Sequence, residues 1–211
     1  MAKSWDQFFK QPTVDIAKGL LGKWLLYNSP DGLCGGLIVD TEAYLGVDDP
    51  ASHAAGGRRT AYTESLYGRA GTAYLYQIRG RVCMDVVAGK SGDPQGVLIR
   101  GLEPFVGSQI MAKNRQMASV DVSNGPAKLM AALGIADRSL DGSSLRTGEL
   151  CLQLDNGRTP QKVVTTTRVG INPSLSTAEL PNRFYVAGNP YVTGINASQV
   201  DDDHHGWQVA N

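Results

Sequence analysis

Apolar and polar positions change period several times along the chain. Val14, Ala17 and Leu21 fall on one face at helical spacing, so a helix is predicted to start at Thr13 and stop at Gly22. Trp24 to Tyr27 reads as a strand, Ser29-Pro30-Asp31-Gly32 as a turn, and Leu37 to Tyr44 as the returning strand. From Gly46 to Gly71 the periodicity vanishes in a stretch rich in Gly, Ala, Asp and Arg. Loops of that length inside a compact domain are usually functional. Thr72 to Ile78 and Val82 to Val87 resume as strands joined at Gly80, and Val97 to Arg100 is a further strand. A clear helix follows, with Pro126 at its first position and Gly134 just past its end. More strands are predicted around Glu149 to Leu154, Val163 to Val169 and Arg183 to Val186. The pattern predicts one α+β domain dominated by antiparallel hairpins, with two or three helices outside.

At 211 residues the chain can bury a core without staples. Neither internal repeats nor a linker-like composition divides it, so residues 1–200 are expected to form one domain. Residues 201–211, which begin Asp201-Asp202-Asp203, are expected to be a disordered acidic tail. Cys34, Cys83 and Cys151 are widely spaced and odd in number, which argues for reduced thiols rather than a disulfide framework. Met1 to Asp6 lacks the apolar region of a signal peptide, and Leu20 to Tyr27 is too short to span a bilayer. A cytoplasmic protein is the expectation. Twenty basic residues balance twenty acidic ones, so overall charge points to no partner.

Several clusters carry chemistry. With a side-chain period of two, Asp40, Glu42 and Tyr44 share a strand face, setting a carboxylate beside an aromatic ring. Lining a cleft, Glu42 can act as a general base and Tyr44 as a stacking wall; the alternative is a strand end running into solvent. Asp48, Asp49 and His53, joined by Glu42, invite a metal reading, although their spacing matches no defined template. Gly56-Gly57-Arg58-Arg59 can hold a phosphate or simply be a flexible basic loop. Tyr74 and Tyr76 alternate along a hairpin whose tip carries Arg79 and Arg81, a shape suited to a nucleic-acid groove. Exposed turns also carry arginine for solubility alone.

In order, Thr41-Glu42-Ala43-Tyr44-Leu45-Gly46, Ala51-Ser52-His53, Gly57-Arg58-Arg59-Thr60 and Gly71-Thr72-Ala73-Tyr74-Leu75-Tyr76 resemble the alkyladenine (3-methyladenine) DNA glycosylase family. The likeness continues through Val97-Leu98-Ile99-Arg100-Gly101-Leu102-Glu103-Pro104, Gly125-Pro126-Ala127-Lys128-Leu129 and Arg183-Phe184-Tyr185-Val186, covering about Thr13 to Tyr191. It implies a curved, barrel-like antiparallel sheet with a protruding β-hairpin and peripheral helices. It also implies a monofunctional enzyme, free of metal and cofactor, that flips a damaged purine out of double-stranded DNA and hydrolyses its N-glycosidic bond. Neither a membrane nor an obligate protein partner is implied. By the same resemblance Glu42 is the general base that aims a water, Arg100 and the Val186 carbonyl help hold that water, and Tyr44 stacks on the base opposite Tyr76 and His53. Arg58, Arg59, Arg79 and Arg81 are expected to contact DNA.

Two positions depart from the family. Arg79 stands where the family carries a tyrosine that fills the gap left by the flipped base, and Asp85 stands where it carries a pocket asparagine. A carboxylate there can accept from an amino group, so tolerance of alkylated guanine, including 3-methylguanine, joins 3-methyladenine, 7-methylguanine and hypoxanthine as an expectation. The rival readings are a lesion-binding protein with weakened catalysis and a metal-dependent hydrolase built on Glu42, Asp48, Asp49 and His53. Charge is also less even than its total. Residues 58–100 carry seven basic and three acidic side chains, a surplus of +4 that the remaining chain cancels. That asymmetry fits salt-sensitive contact with phosphates through one face.

Overall fold

The computed structural model describes residues 4–209. Its frame is an eight-stranded antiparallel sheet, curved into a half-barrel, in the order β3-β4-β5-β2-β1-β6, with β8 paired to both β2 and β7. The strands are β1 (Trp24–Ser29), β2 (Gly32–Tyr44), β3 (Ala73–Ile78), β4 (Arg81–Val87), β5 (Gly96–Val106), β6 (Leu150–Gln153), β7 (Val163–Thr166) and β8 (Arg183–Val186). The expected α+β class and antiparallel hairpins are borne out.

The thirteen-residue β2 organises the sheet. Its first half pairs with β1 as far as Trp24 opposite Leu37; its second half pairs with β8 from Asp40 opposite Tyr185 to Glu42 opposite Arg183. On the other side β5 runs the whole way, with register shifts at Gly35/Gly36, Ile38/Asp40 and Asp40/Thr41. Each shift inserts an extra residue that bends the ladder and increases its twist, which is how one long strand serves three partners on a curved sheet.

Four α-helices lie among the described residues: α1 (Trp5–Phe8), α2 (Thr13–Leu20), α3 (Ser108–Arg115) and α4 (Pro126–Leu133). Ile16 and Leu20 of α2 and Leu129, Met130 and Leu133 of α4 enter the main apolar core with Leu37, Ile38 and Leu102 of the sheet. A second cluster, built from Leu66, Tyr67, Tyr74, Tyr76, Cys83, Val87 and Leu98, forms an aromatic wall apart from it. The aperiodic stretch after β2 is tied down by 3-10 turns at Gly46–Asp48, Ala55–Gly57 and Glu64–Tyr67. The sequence reading missed α3, because Met111 is its only buried residue and its remaining side chains make no apolar stripe.

The acidic tail corrects the expectation of disorder. Trp207 is 1% exposed and belongs to the main core. Glu103 accepts from the Trp207 indole N–H at 2.6 Å and from the Asn189 amide at 2.6 Å, and it pairs with His205 Nδ1 at 2.7 Å. Asp201 makes the turn by accepting from the backbone amides of His204 and Gly206. The aspartates are a capped turn that returns an aromatic anchor to the core. The last two positions of the expected tail, Ala210 and Asn211, lie outside the described residues.

Candidate active site

Strand β2 delivers two carboxylates, Asp40 and Glu42, to one face in the middle of the sheet, where each is wholly buried. Arg100 reaches them through a bulge. Asp40 lies opposite Gly101 and Thr41 opposite Ile99, so Arg100 is the unpaired extra residue on β5. Its Nη1 stands 3.2 Å from Glu42 Oε1 and its Nε 3.7 Å from Asp40 Oδ2. Arg183, from β8, forks onto Asp40 with bonds of 3.0 and 2.8 Å. Asp40 therefore carries a fixed ion pair, whereas Glu42 faces Arg100 and two lighter donors.

Those donors are the backbone amide of Val169, 2.7 Å from Glu42 Oε1, and the Tyr44 hydroxyl, 2.9 Å from Oε2. Burial pushes the Glu42 carboxyl above its usual range, and Asp40 adds to the rise; Arg100, the Val169 amide and the Tyr44 hydroxyl pull it back. A carboxylate offers about four acceptor positions; two hydrogen bonds and the Arg100 ion pair do not exhaust them, which leaves acceptor capacity for a water.

Glu42 does not itself line a cleft, but its partners Tyr44, Arg100 and Val169 border a cavity of about 330 Å³. Tyr44, His53, Tyr76, Asp85, Arg100 and Val169 all line it. Tyr76 stacks on Tyr74 with ring centroids 5.1 Å apart, and His53 meets Tyr76 edge to face at 4.5 Å. His53 Nδ1 shares a hydrogen bond of 2.8 Å with the Tyr74 hydroxyl. His53 is exposed overall; the partial burial of its ring and the Arg58 charge depress its pKa, favouring the neutral imidazole. Asp85 is 5% exposed, and burial pushes its carboxyl up to about 7, with Glu42 adding to the rise and the Tyr76 hydroxyl opposing it. A Cβ at Gly96 would come within 2.9 Å of Asp85 Oδ2, so the glycine leaves that carboxyl its room.

Val186 is not part of this arrangement. The β2–β8 register sets Arg183, rather than Val186, opposite Glu42, and the Val186 carbonyl accepts from the Asn189 amide at 3.2 Å. Val169 is the valine that reaches Glu42. It was missed because the strand expected to run to Val169 stops at Thr166, and the chain beyond turns in toward β2.

Arg168 was missed as well. It is buried, forks onto Asp49, donates to the Ala43 carbonyl at 3.2 Å, and lies 4.7 Å from the centre of the Tyr44 ring. Burial works against ionisation of Asp49, yet Arg168 and the amides of Leu45 and Ala51 hold its carboxyl below the usual range. This overturns the four-residue metal reading: Asp49 is committed to Arg168, Asp48 is exposed, and His53 bonds Tyr74. Among the described residues no group of three or more His, Cys, Asp or Glu side chains could hold a metal ion.

The four predicted DNA-contacting arginines differ. Arg58, Arg79 and Arg81 are exposed. Arg59 is also exposed, but it forks onto Glu64 and lies 4.6 Å from the centre of the Tyr67 ring, which leaves it less free for a phosphate. Arg79 and Gly80 both have positive φ, 52° and 74°, in a two-residue turn between Ile78 and Arg81. Such turns follow the twist of a hairpin. The cavity mouth is bordered by Ile78, half exposed at 50%, rather than by Arg79.

The profile of the methylpurine-DNA glycosylase (MPG) family matches residues 7–190. A protein of Latilactobacillus sakei described as "Putative 3-methyladenine DNA glycosylase" is 46% identical over 201 residues, covering 95% of this chain and 94% of its own length. Proteins with the same description from Lactiplantibacillus plantarum and Enterococcus faecalis are each 40% identical, covering 93% and 99% of this chain and 94% and 91% of their own lengths. No helix among the described residues is long and apolar enough to cross a membrane. With its sheet, its buried carboxylate and its aromatic pocket, the chain belongs to the methylpurine-DNA glycosylase family.

Proposed function

We propose that the protein excises alkylated purines, 3-methyladenine and 7-methylguanine foremost, from double-stranded DNA by hydrolysing the N-glycosidic bond, the first step of base excision repair. The carrying observation is Glu42: a buried carboxylate held by Arg100, Tyr44 and the Val169 amide at the side of an aromatic cavity. A base that must leave the stack to be reached is held by stacking between aromatic side chains. Tyr44 supplies one wall, and His53 with Tyr76 the other. An N3- or N7-alkylated purine is a cation, which aromatic faces attract and a neutral His53 does not repel.

Because the alkylated purine already carries positive charge, it departs without an acid to protonate it. The protein has to stabilise positive charge at the sugar and deliver a water. Ionised Glu42 does both: it faces the developing oxocarbenium ion, and its remaining acceptor position takes the proton of the attacking water. Burial raises the pKa of this base toward the working pH, where general bases act best. Arg100 keeps the carboxylate ionised and aimed. No lysine is among the described residues that line the cavity, which supports a hydrolytic rather than a Schiff-base route.

Single-turnover release of bases from duplexes carrying a panel of lesions tests the reading. Glu42→Gln should lower release by about 10²–10⁴-fold while lesion binding persists. Binding without release by the wild-type protein would instead make it a lesion-binding member of the family. EDTA should leave release unchanged.

A further inference from the structure

We infer that Asp85 selects the base, its carboxyl reading the edge of the flipped purine in two ways: ionised, it accepts from the ring N–H and amino groups of guanine-type bases; protonated, it donates to a ring nitrogen of adenine-type bases. The inference rests on the pocket being the purine site proposed above.

Asp85 sits on β4 between two neighbours in register, Tyr74 on β3 and Leu98 on β5. It lines the cavity although hardly any of it is exposed, and its Oδ1 is buried with no hydrogen-bond partner. Buried polar atoms are almost always satisfied, so an orphaned oxygen beside a ligand-sized cavity marks a group waiting for a donor or for its own proton. No role in water activation accounts for it, since that task falls to Glu42. Nor does a cation neutralise it: Arg100, the charged side chain that β5 sends to this region, pairs with Glu42 and Asp40.

Chemistry fixes what such an oxygen can read. A flipped base is recognised through hydrogen bonds to its pairing edge. On that edge guanine presents a ring N–H and an amino group, and hypoxanthine presents a ring N–H. Adenine presents a ring nitrogen lone pair beside an amino group. An ionised carboxylate only accepts, so it matches the first two and meets the adenine lone pair with repulsion. A protonated carboxyl gains a donor and matches adenine, giving to the ring nitrogen and accepting from the amino group.

The groups that face Asp85 set the balance. Tyr74 and Tyr76 come from β3, Tyr44 and Glu42 from β2, Arg100 from β5, His53 from the loop after β2, and Cys83 from its own strand. Burial and the Glu42 charge favour the protonated form, the Tyr76 hydroxyl favours the ionised one, and the outcome is a midpoint of about 7. Both readers therefore exist in the neutral range.

The test is single-turnover release of 3-methyladenine and 7-methylguanine from otherwise identical duplexes, from about pH 6 to about pH 8. The titration of Glu42 affects both bases alike and cancels in the ratio of their rates. In the wild type the guanine-to-adenine ratio should rise by up to roughly a hundredfold across that range, since the ratio of ionised to protonated Asp85 changes about tenfold per pH unit. In Asp85→Asn, a near-isosteric change, that rise should vanish, leaving only any titration of the bases themselves. Equal ratio profiles in the two proteins would overturn the inference while leaving purine excision standing. Should the variant fail to fold, a flat wild-type ratio overturns it alone. Release of neither base by the wild type at any pH would remove the purine site, and the inference with it.

Discussion

The Tyr44 hydroxyl donates to Glu42 Oε2 at 2.9 Å, across two positions of one strand face. The proposed stacking wall and the proposed general base are thereby one unit, and the period of a β-strand is what joins them. Tyr44→Phe separates the two functions, because it keeps the ring and removes the donor. The hydroxyl favours ionised Glu42, so its loss raises the Glu42 pKa further, and the base is then neutralised at a higher pH. A hydrogen bond to a charged group contributes about 1.5–3 kcal/mol, or roughly one to two pH units of midpoint. The acid limb of single-turnover release should move up by about that much, with lesion affinity nearly unchanged. A shift downward, or lost affinity with an unmoved limb, would contradict the coupling.

Arg168 joins segments far apart in the chain. Its guanidinium bonds Asp49, Ala43 and Thr177 and lies over the Tyr44 ring. Removing one partner of a buried pair leaves an uncompensated charge, which typically costs about 3–5 kcal/mol. Arg168→Ala should lose stability on that scale in denaturant unfolding and weaken lesion binding as Tyr44 loosens. Because Asp49 is the charge left behind, a double variant that also carries Asp49→Ala should be much less destabilised than the sum of the two single changes.

The elements that place the site were visible in local pattern, and the ties between distant segments were not. Alternation along Leu37 to Tyr44 set Asp40, Glu42 and Tyr44 on one face, and ordered motif blocks singled out Glu42, Arg100, Tyr76 and His53. Arg168 gave no signal, since its carboxylate lies 119 residues away and a lone arginine after a Val/Thr strand usually reads as exposed. Val169 was hidden by the same gap: a ladder register is set by partner strands, and Val186 was the more conspicuous valine. The aspartates of the tail read as solvated because their purpose, turning the chain so that Trp207 reaches Glu103, depends on a strand about a hundred residues earlier.

That tail yields a stability prediction. Trp207→Ala removes a fully buried indole and one of the donors to Glu103, and losses of this kind usually cost about 3–5 kcal/mol. Denaturant unfolding should show it. None of residues 201–209 lines the cavity, so base release by the folded fraction should keep its wild-type rate. A loss of rate without loss of stability would instead tie the tail to the reaction.

The hairpin divides its work between two neighbours. Ile78 is apolar, half exposed and borders the cavity; Arg79 is charged, exposed and held at positive φ beyond it. An apolar side chain is the better wedge between unstacked bases, whereas an arginine is suited to phosphate. Ile78→Ala should therefore slow single-turnover release at saturating enzyme by several-fold, through poorer retention of the flipped state, without altering the salt dependence of binding. Arg79→Asn tolerates the same left-handed turn and removes the charge. It should lower the slope of log affinity against log salt by about one phosphate contact and spare the saturated rate. The reverse pattern, a rate that falls with Arg79 and a salt slope that falls with neither, would make the arginine the wedge despite its place outside the cavity mouth.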